Sequence, residues 1–354
     1  VKILLDGIPL IDRGATKQSL SQLDVNSIER VEIVEGPMSV VYGTDALAGV
    51  INIITKKGDG YSEENTWRVG ARVQEESMGK EYDFFKDKGL HNESIDLGFN
   101  HKSGLFVNGG YTRNNHGGWQ GDLTGREKRW HPKDQALMNG MFGFQNRNMN
   151  VWYRLDFLDE KIFGPNNGSE LQPEKVSDKD FLTKRYTHQL QSDWKLDNRL
   201  DVHAALSYQD YKRRTRTTES DLSTGEKWLS SAEASQDITQ YKAWIARATV
   251  AWNIAPEFSV QPGVEYQWTQ GEGGRIDGTP KVSDLAFFLS AEYKPWEWLS
   301  LRPGVRTFIV ADYDAPIAIP SVLTKFKLTK HMDLRLSYAY GFRSPTLQEL
   351  YFSF

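Results

Sequence analysis

The sequence predicts a mainly β protein, an antiparallel transmembrane β-barrel that follows a small N-terminal αβ domain. Three observations lead to this prediction. Apolar residues recur at every second position through most of the chain, the connections between these stretches alternate between short and long, and no run of about 18 apolar residues could form a transmembrane helix. A barrel strand faces lipid with only every second residue, so a largely polar chain can still form a membrane wall.

The composition excludes several other classes of protein. The 354 residues include 43 basic and 47 acidic side chains, a balance that gives no strong field for nucleic acid as the main partner. Cysteine is absent, which excludes disulfide bonds and thiolate metal sites. The 11 Trp and 15 Tyr favour a membrane wall, because these rings are enriched at membrane interfaces.

The first 58 residues read as a compact αβ domain. Short apolar runs at 1–5, 31–34 and 50–54 are separated by turn residues, among them Asp6-Gly7. From Trp67 onward the periodicity changes to two. We therefore place the αβ domain at residues 1–58 and the barrel at 59–354.

The barrel strands are apolar on one face and polar on the other. In one of them Val151, Tyr153, Leu155 and Phe157 alternate with Asn150, Trp152, Arg154 and Asp156. If the apolar face meets lipid, charged residues at the alternate positions face the lumen. The candidates for this inner face are Arg154, Asp156, Glu265, Glu292, Arg302 and Arg306.

The connections between strands predict which end of the barrel carries the binding loops. Tight turns such as 146–148 alternate strictly with long connections such as 115–134, as in outer-membrane barrels with short periplasmic turns and long extracellular loops. We count about 13 strands, whereas single-chain bacterial barrels close with an even number. We therefore expect more strands after Phe354, and because the chain starts at Val1 inside an apolar run without an initiator methionine, we expect it to be incomplete at that end as well.

Two segments carry a resemblance to a known family. The stretch from Arg30 to Lys57 resembles the end of the plug domain of TonB-dependent outer-membrane receptors, and residues 341–351 resemble the Phe-Arg-Ala-Pro segment late in the barrel of that family. The matching residues are Arg30, Glu32, Glu35, Gly36, Pro37, Tyr42, Gly43, Gly49 and Asn52 in the plug, and Phe342, Arg343 and Pro345 in the barrel. Glu35 stands where many relatives have an arginine that pairs with barrel glutamates, and Ser344 replaces an alanine.

The resemblance implies a function. It implies a barrel of about 22 strands with the plug inside its lumen, which is wide enough at that strand number to hold a folded domain. The protein would be a monomeric receptor in the outer membrane of a Gram-negative bacterium, surrounded by lipid and lipopolysaccharide. It would bind an iron-siderophore, haem or cobalamin and import it with energy from the TonB complex, without being an enzyme and without a cofactor of its own.

Several side chains carry more specific expectations. The plug charges Arg30, Glu32 and Glu35 would have to pair with lumen groups if they are buried. His116 and Trp119 are candidates for a ligand-binding loop, although a solvated loop histidine is the commoner case. The basic run 212–216 could bind an anionic ligand or lipopolysaccharide phosphates, or could simply be solvated.

No catalytic or metal-binding pattern emerges from the sequence. The acidic clusters lack EF-hand spacing, and no Ser/His/Asp set is apparent. Two alternative functions remain. One is a passive porin or surface adhesin on the same barrel, which leaves the segment 30–57 unexplained, and the other is a secreted glycan-binding β protein, against which the alternation of connections argues.

Overall fold

In the residues that it describes, the computed structural model of the protein contains two β-sheets, a small one near the N-terminus and a large one that curves around it. It describes residues 2–11, 20–35, 39–43, 46, 49–57, 64–85, 88–273 and 276–351. No helix in these ranges is both long and apolar enough to cross a membrane.

The small sheet has four strands in the order β2-β1-β4-β3. Their bounds are β1 Lys2–Leu5, β2 Ile8–Pro9, β3 Ile28–Glu35 and β4 Gly49–Thr55. β1 and β4 run parallel, and the other neighbours run antiparallel. A 3₁₀ turn at Val25–Ser27 precedes β3, and a short helix, α1 (Ser39–Tyr42), lies between β3 and β4.

β1 is buried on both faces, as its uninterrupted apolar run suggests. Ile3 and Leu5 pack with Ile53 on one face, and Leu4 packs with Val50 on the other. The chain then reverses at Asp6-Gly7, where both residues have positive φ, of 50° and 82°. The Asp6 carboxylate accepts hydrogen bonds from the backbone and the hydroxyl of Thr55, at 3.0 and 2.7 Å, and so ties this turn to the end of β4.

The large sheet, called the wall below, has fourteen strands, of which thirteen follow one another as antiparallel neighbours in chain order from β5 to β18. Their bounds are β5 Thr66–Glu76, β6 Leu90–Asn100, β7 Leu105–His116, β8 Lys133–Gln145, β9 Met149–Gly164, β10 Lys175–Lys195, β11 Leu200–Asp221, β13 Ile238–Ala255, β14 Phe258–Gly273, β15 Lys281–Trp296, β16 Leu299–Val310, β17 Ile319–Thr329 and β18 Met332–Ala339. The fourteenth, β12 (Lys227–Leu229), pairs with β11 beside this path. A second helix, α2 (Leu347–Tyr351), follows β18.

All tight turns of the wall lie along one edge and all long connections along the other. The turns are 101–104, 146–148, 196–199, 256–257, 297–298 and 330–331, and the long connections are 77–89, 117–132, 165–174, 222–237, 274–280 and 311–318. Neighbours in one antiparallel sheet reverse direction at each connection, so this alternation puts the two kinds at opposite rims. The fold class predicted from the sequence, a barrel wall with an αβ domain, is confirmed.

The wall is polar inside and apolar outside. On β10 the buried inner positions are Thr183, Arg185, Thr187, Gln189 and Gln191. The outer positions between them include Tyr186 and Leu190, which are 42% and 46% exposed. This arrangement, with polar residues inside and apolar residues outside, is favourable in lipid. In water it would be unfavourable, because large apolar side chains at regular outer positions would be exposed to water.

The small sheet lies against the inner face of the wall. Hydrogen bonds join the described residues of the N-terminal domain, in the sheet, in the segment before β3 and in α1, to side chains of β5, β6, β7, β8, β9, β10, β11, β13 and β16. These contacts agree with the predicted position of the αβ domain inside the lumen.

The strands β10 and β11 continue further toward the long connections than the sequence pattern indicates. They pair with each other as far as Lys175 and Asp221, beyond the apolar positions.

Candidate functional site

The candidate site is the seam between the small sheet and the inner face of the wall. One part of this seam is a row of three wall glutamines on β10 and β11. Gln191 donates to the carbonyl of Asp6 at 2.8 Å, and Gln209 donates to that of Pro9 at 2.7 Å. Gln209 also accepts from the backbone N–H of Ile11 at 2.9 Å, and Gln189 lies 3.4 Å from the carbonyl of Leu5. These amides satisfy backbone groups that an edge strand such as β2 leaves open.

A second part of the seam is centred on Gln22, which is 3% exposed. Its side chain donates to Glu160 on β9 at 2.8 Å, and its carbonyl accepts from Arg185 on β10 at 2.8 Å. Gln135 on β8 donates to the same Glu160 and to the carbonyl of Ser21, at 2.5 and 2.9 Å. The buried Glu160 carboxylate and Arg185 guanidinium are thus bridged by Gln22 of the N-terminal domain.

Asp24 forms the third part of the seam, against β7 and β8. Its carboxylate accepts from the hydroxyl of Thr112 and the backbone N–H of Asn26, each at 3.0 Å, and lies 3.4 Å from the Asn139 amide. Burial raises the pKa of Asp24, while these hydrogen bonds and the nearby Arg154 act in the opposite direction. Arg154 is itself fully buried and pairs with Asp156 at 2.6 Å.

The fourth part, called the Glu265 cluster below, consists of Glu265, Arg247, Arg306 and Lys2. Glu265 on β14 pairs with Arg247 of β13 at 2.8 Å and with Arg306 of β16 at 2.7 Å. All three wall side chains are at most 10% exposed.

The Glu265 cluster holds the end of α1. Arg247 donates to the carbonyl of Val41 at 2.6 Å, and Lys2 donates to that of Tyr42 at 2.8 Å. The last carbonyls of a helix have no partner within the helix, so they are natural acceptors for these cations. Gly43 follows with a φ of 87°, and a Cβ there would lie 2.9 Å from the Lys2 ammonium, so the backbone approaches closely only because the residue is glycine.

The wall residues predicted to face inward do lie on the inner face. Arg154, Glu265 and Arg306 are buried in the seam, and Asp156 is the partner of Arg154. Glu292 and Arg302 pair at 3.2 Å nearer the tight-turn rim, where the arginine side chain is 49% exposed.

The predicted signature residues of the small sheet fall into three groups. Asn52 is buried and holds the turn, accepting from Gly7 N–H at 2.9 Å, and the Tyr42 ring faces the Arg247 guanidinium at 5.8 Å. Gly49 begins β4 opposite Glu35. Gly36, Pro37 and the side chain of Glu35 lie outside the described residues.

Arg30 and Glu32 are not buried in the described structure, so the condition under which they would have to pair with lumen groups is not met. Arg30 is exposed and pairs with Glu29 and Glu32 of its own strand, at 3.0 and 2.9 Å, and Glu32 also accepts from Asn52. β3 is an edge strand of the small sheet, and both carboxylates that pair with Arg30 belong to this strand.

His116 is the last residue of β7 and Trp119 lies in the connection that follows, but the contacts of both are internal to this region. The Nδ1 atom of His116 accepts from the backbone N–H of Gly118 at 2.9 Å. The Trp119 ring packs against Trp130 with centroids 5.4 Å apart, and the backbones of these two residues pair. Both candidates therefore stabilise the loop in this conformation.

The predicted barrel motif lies after β18. Phe342 packs near Phe308 and Tyr313, and Arg343 pairs with Glu349 at 2.5 Å. Pro345 precedes Thr346, whose backbone and hydroxyl bond Glu349 reciprocally in a capping box. The Arg343 guanidinium and the Thr346 bonds hold the pKa of Glu349 to about 2.

An aromatic cluster lies on the inner face toward the long connections. Tyr211, Tyr241, Val282 and Leu347 are buried together, and Ile11 of the small domain packs against them. On β11, the next inner residue is Arg213, whose guanidinium lies 4.4 Å from the centre of the Phe181 ring. Among the described residues, no group of three or more His, Cys, Asp or Glu side chains could hold a metal ion.

The sequence did not identify Arg247, Lys2 or Gln135 as site residues. Arg247 was missed because the stretch just before it, residues 243–246, is apolar on both faces of β13: the inner residues Ala243 and Ile245 are buried, and Ile245 packs against Ile8 of the small sheet. The alternation that marks inner positions elsewhere is lost there. Gln135 could have been found from alternation with the outer residues of β8, but its partner in the N-terminal domain, Ser21, is 114 positions away.

Family comparisons match both ends of the chain. Residues 1–50 match the family described as TonB-dependent Receptor Plug Domain, and residues 261–354 match the family described as TonB dependent receptor-like, beta-barrel. The two matches correspond to the small sheet and to the last part of the wall.

The fold is also similar to solved receptor structures. A mutant of the ferric enterobactin receptor PfeA from Pseudomonas aeruginosa superposes with a TM-score of 0.69 and 15% identity, over 98% of this chain and 54% of that chain. The siderophore receptor PirA from Pseudomonas aeruginosa gives 0.69 and 14%, over 98% and 55%. The ferric yersiniabactin uptake receptor FyuA from Yersinia pestis gives 0.59 and 13%, over 96% and 62%.

At these identities the likeness to solved structures is one of fold. The chain spans a little over half the length of the solved proteins it matches.

Proposed function

We propose, from the premise that this chain is a TonB-dependent receptor in its plug and in its barrel, that the protein imports a ferric siderophore across the outer membrane of a Gram-negative bacterium. The observation that carries the proposal is the plug itself, held against the inner face of the wall by bonds to nine strands. A passive pore has no use for such a domain. The import would draw on the TonB complex for energy, and the protein would act as a monomer with no catalytic group or cofactor of its own.

The ligand class is proposed from two kinds of support. The solved proteins of similar fold are named as siderophore receptors. Arg213 and the aromatic cluster line the inner face toward the long connections, where a ligand from outside would first arrive. An arginine and several aromatic rings suit a large anionic chelate better than a small neutral solute. His116, the candidate for haem, already uses its Nδ1 atom within its loop.

The seam explains how such a plug could move. Most of its bonds join a wall side chain to a backbone carbonyl or an amide, and each contributes about 0.5–1.5 kcal/mol because water can replace either partner. Polar contacts of this kind can break and reform one by one in a hydrated lumen. A pull from the periplasmic side could therefore open a path without exposing a large apolar surface.

Uptake assays test the proposal. A strain that lacks the protein is complemented with it and grown on single iron sources, namely ferric catecholates, ferric hydroxamates or haem, and on cobalamin as a separate nutrient. We expect growth on a ferric siderophore that is lost when TonB is inactivated. Energy-independent entry would contradict the proposal in favour of a passive porin, and growth restored only by haem or cobalamin would contradict the proposed ligand class.

A further inference from the structure

A histidine near the start of β6 is buried on the side of the wall that elsewhere is exposed. The outer positions of β5 and β6 hold exposed apolar residues such as Val73 and Ile95. His91 lies on the same face of β6 as Ile95, yet it is only 2% exposed. It stands two outer positions beyond Ile95, past the charged Glu93, where the apolar band has ended. The connection 77–89, the first of the long connections, covers it.

The Glu75 carboxylate, near the end of β5, anchors this connection. Its Oε2 atom lies 2.6 Å from Nδ1 of His91 and accepts from the Tyr82 hydroxyl at 3.1 Å. The Tyr82 ring packs beside the imidazole, with ring centroids 6.2 Å apart. At Gly89, where φ is 104°, a Cβ would lie 2.7 Å from the carbonyl oxygen of Glu76 and 3.7 Å from the His91 ring. The connection can approach the wall this closely only because the residue is glycine.

Both ring nitrogens of His91 face acceptors. Nδ1 faces the Glu75 carboxylate, and Nε2 lies 3.1 Å from the carbonyl oxygen of Lys88. A carbonyl and an ionised carboxylate have no proton to donate, and a neutral imidazole has only one N–H group. Only the imidazolium form can therefore donate to both partners at once. The neutral ring must turn a nitrogen lone pair toward one of the two acceptors, which costs that hydrogen bond.

The titratable and charged groups that surround His91 come from β5, β6, β7 and the connection itself: Glu75, Tyr82, Asp83, Lys88, Glu93 and Arg113. The residue directly opposite His91 on β7 is the neutral Asn115. Arg113 stands opposite Glu93 and pairs with Asp134 of β8 at 3.4 Å. Of these groups, the Glu75 carboxylate is the one that bonds to the imidazole ring. The charge of that ring therefore decides how firmly the connection is joined to the wall.

We infer that His91 is a proton-dependent latch, which holds the connection 77–89 on the outer face of β5 and β6 while its ring is protonated and releases it when the proton leaves. Histidine changes its charge between about pH 5 and 8. At the acidic end of this range the ring donates to both Glu75 and Lys88, and at the alkaline end it donates to one of them. The latch is therefore closed in acid and weakens as the pH rises. The inference concerns this connection alone and does not depend on transport.

The test follows the mobility of the connection by electron paramagnetic resonance of the protein in detergent, at about pH 5.5 and about pH 8.5. A nitroxide is attached to the variant K80C, at an exposed position of the connection, and the chain has no other cysteine. We expect the ratio of ordered to mobile label to fall at least about tenfold from the acidic to the alkaline sample. This is the loss expected for one hydrogen bond that involves a charged group.

Two further substitutions in the labelled protein separate a latch from a merely structural contact. In E75Q the glutamine amide can donate to Nδ1, so that neutral His91 keeps its N–H for the Lys88 carbonyl, and we expect an ordered label at the alkaline pH as well. In H91Q we expect the same spectrum at both pH values. The matched control is H203Q. It removes the ring of another histidine–carboxylate pair, His203 with Asp193 at 2.6 Å near the tight-turn rim, and should leave the pH response intact.

A label whose spectrum does not change with pH would overturn the inference, as would an equal pH response in H91Q. Loosening of E75Q at both pH values would also overturn it, because Glu75 would then anchor the connection without any part for the His91 proton. Loss of the response in H203Q would place the switch elsewhere. Heat-modifiable migration in gels establishes that each variant is folded. Uptake is not measured, so failure here leaves the proposed function untouched.

Discussion

Replacing Glu265 by glutamine is expected to lower the free energy that holds the plug against the wall by about 3–5 kcal/mol. This is the usual range when one partner of a buried ion pair is removed. The change keeps the shape of the side chain but removes the only carboxylate that the described structure places between Arg247 and Arg306. The two guanidinium groups and the Lys2 ammonium then face one another with less compensation. Because Arg247 and Lys2 also hold the carbonyls at the end of α1, we expect this segment to detach first.

Hydrogen exchange at residues 40–43 and 50–55 measures this effect in the purified protein. The matched control is Glu292→Gln, which breaks a pair with Arg302 at the water-exposed rim. We expect it to change the free energy of local opening at these residues by at most about 1 kcal/mol. If E265Q and E292Q gave the same protection as the unmodified protein, the Glu265 cluster would not hold the plug.

A disulfide between plug and wall is expected to abolish uptake. A Cβ placed on Gly304 of β16 would lie 3.0 Å from Cγ1 of Val40 in α1, a spacing that suits a disulfide in the double variant V40C/G304C. The chain has no cysteine of its own, so no other thiol competes. If import requires the plug to move relative to the wall, the oxidised protein should transport no more than a strain that lacks it.

The reduced double variant and the two single variants serve as controls and should retain uptake. Mass spectrometry of the linked peptide establishes that the bond has formed. Normal uptake by a fully cross-linked protein would mean that the ligand passes without movement of α1 against β16.

The sequence was sufficient to predict the faces of the wall. Tyr153 and Phe157 are apolar at alternate positions because lipid would penalise anything else there, and Arg154 between them had to face inward. The alternation of tight turns and long connections follows from the same constraint. Such local patterns reflect the solvent on each side, so they can be read without knowing any distant partner.

The contacts of the plug could not be predicted in the same way. Gln209 occupies a polar position in its strand, but its bonds to Pro9 and Ile11 join residues about 200 positions apart. The sequence shows Glu35 directly before Gly36, where many relatives have an arginine that pairs with barrel glutamates. In the structure, Glu265 of the wall pairs with Arg247 and Arg306 of the wall itself. A buried charge has to be compensated by an opposite charge, but the sequence pattern does not indicate which element provides it.

The central claim is that the N-terminal domain sits inside a wall whose other face meets lipid, and two adjacent positions test both halves. A photo-activatable phenylalanine analogue is placed at Gln209 or at Tyr208, the protein is irradiated in native outer membranes, and the products are mapped by mass spectrometry. We predict that position 209 links to the peptide containing residues 8–11 of the same chain, whereas position 208 links to lipid. Linkage of both positions to the same partner, or of position 209 to lipid, would contradict the account.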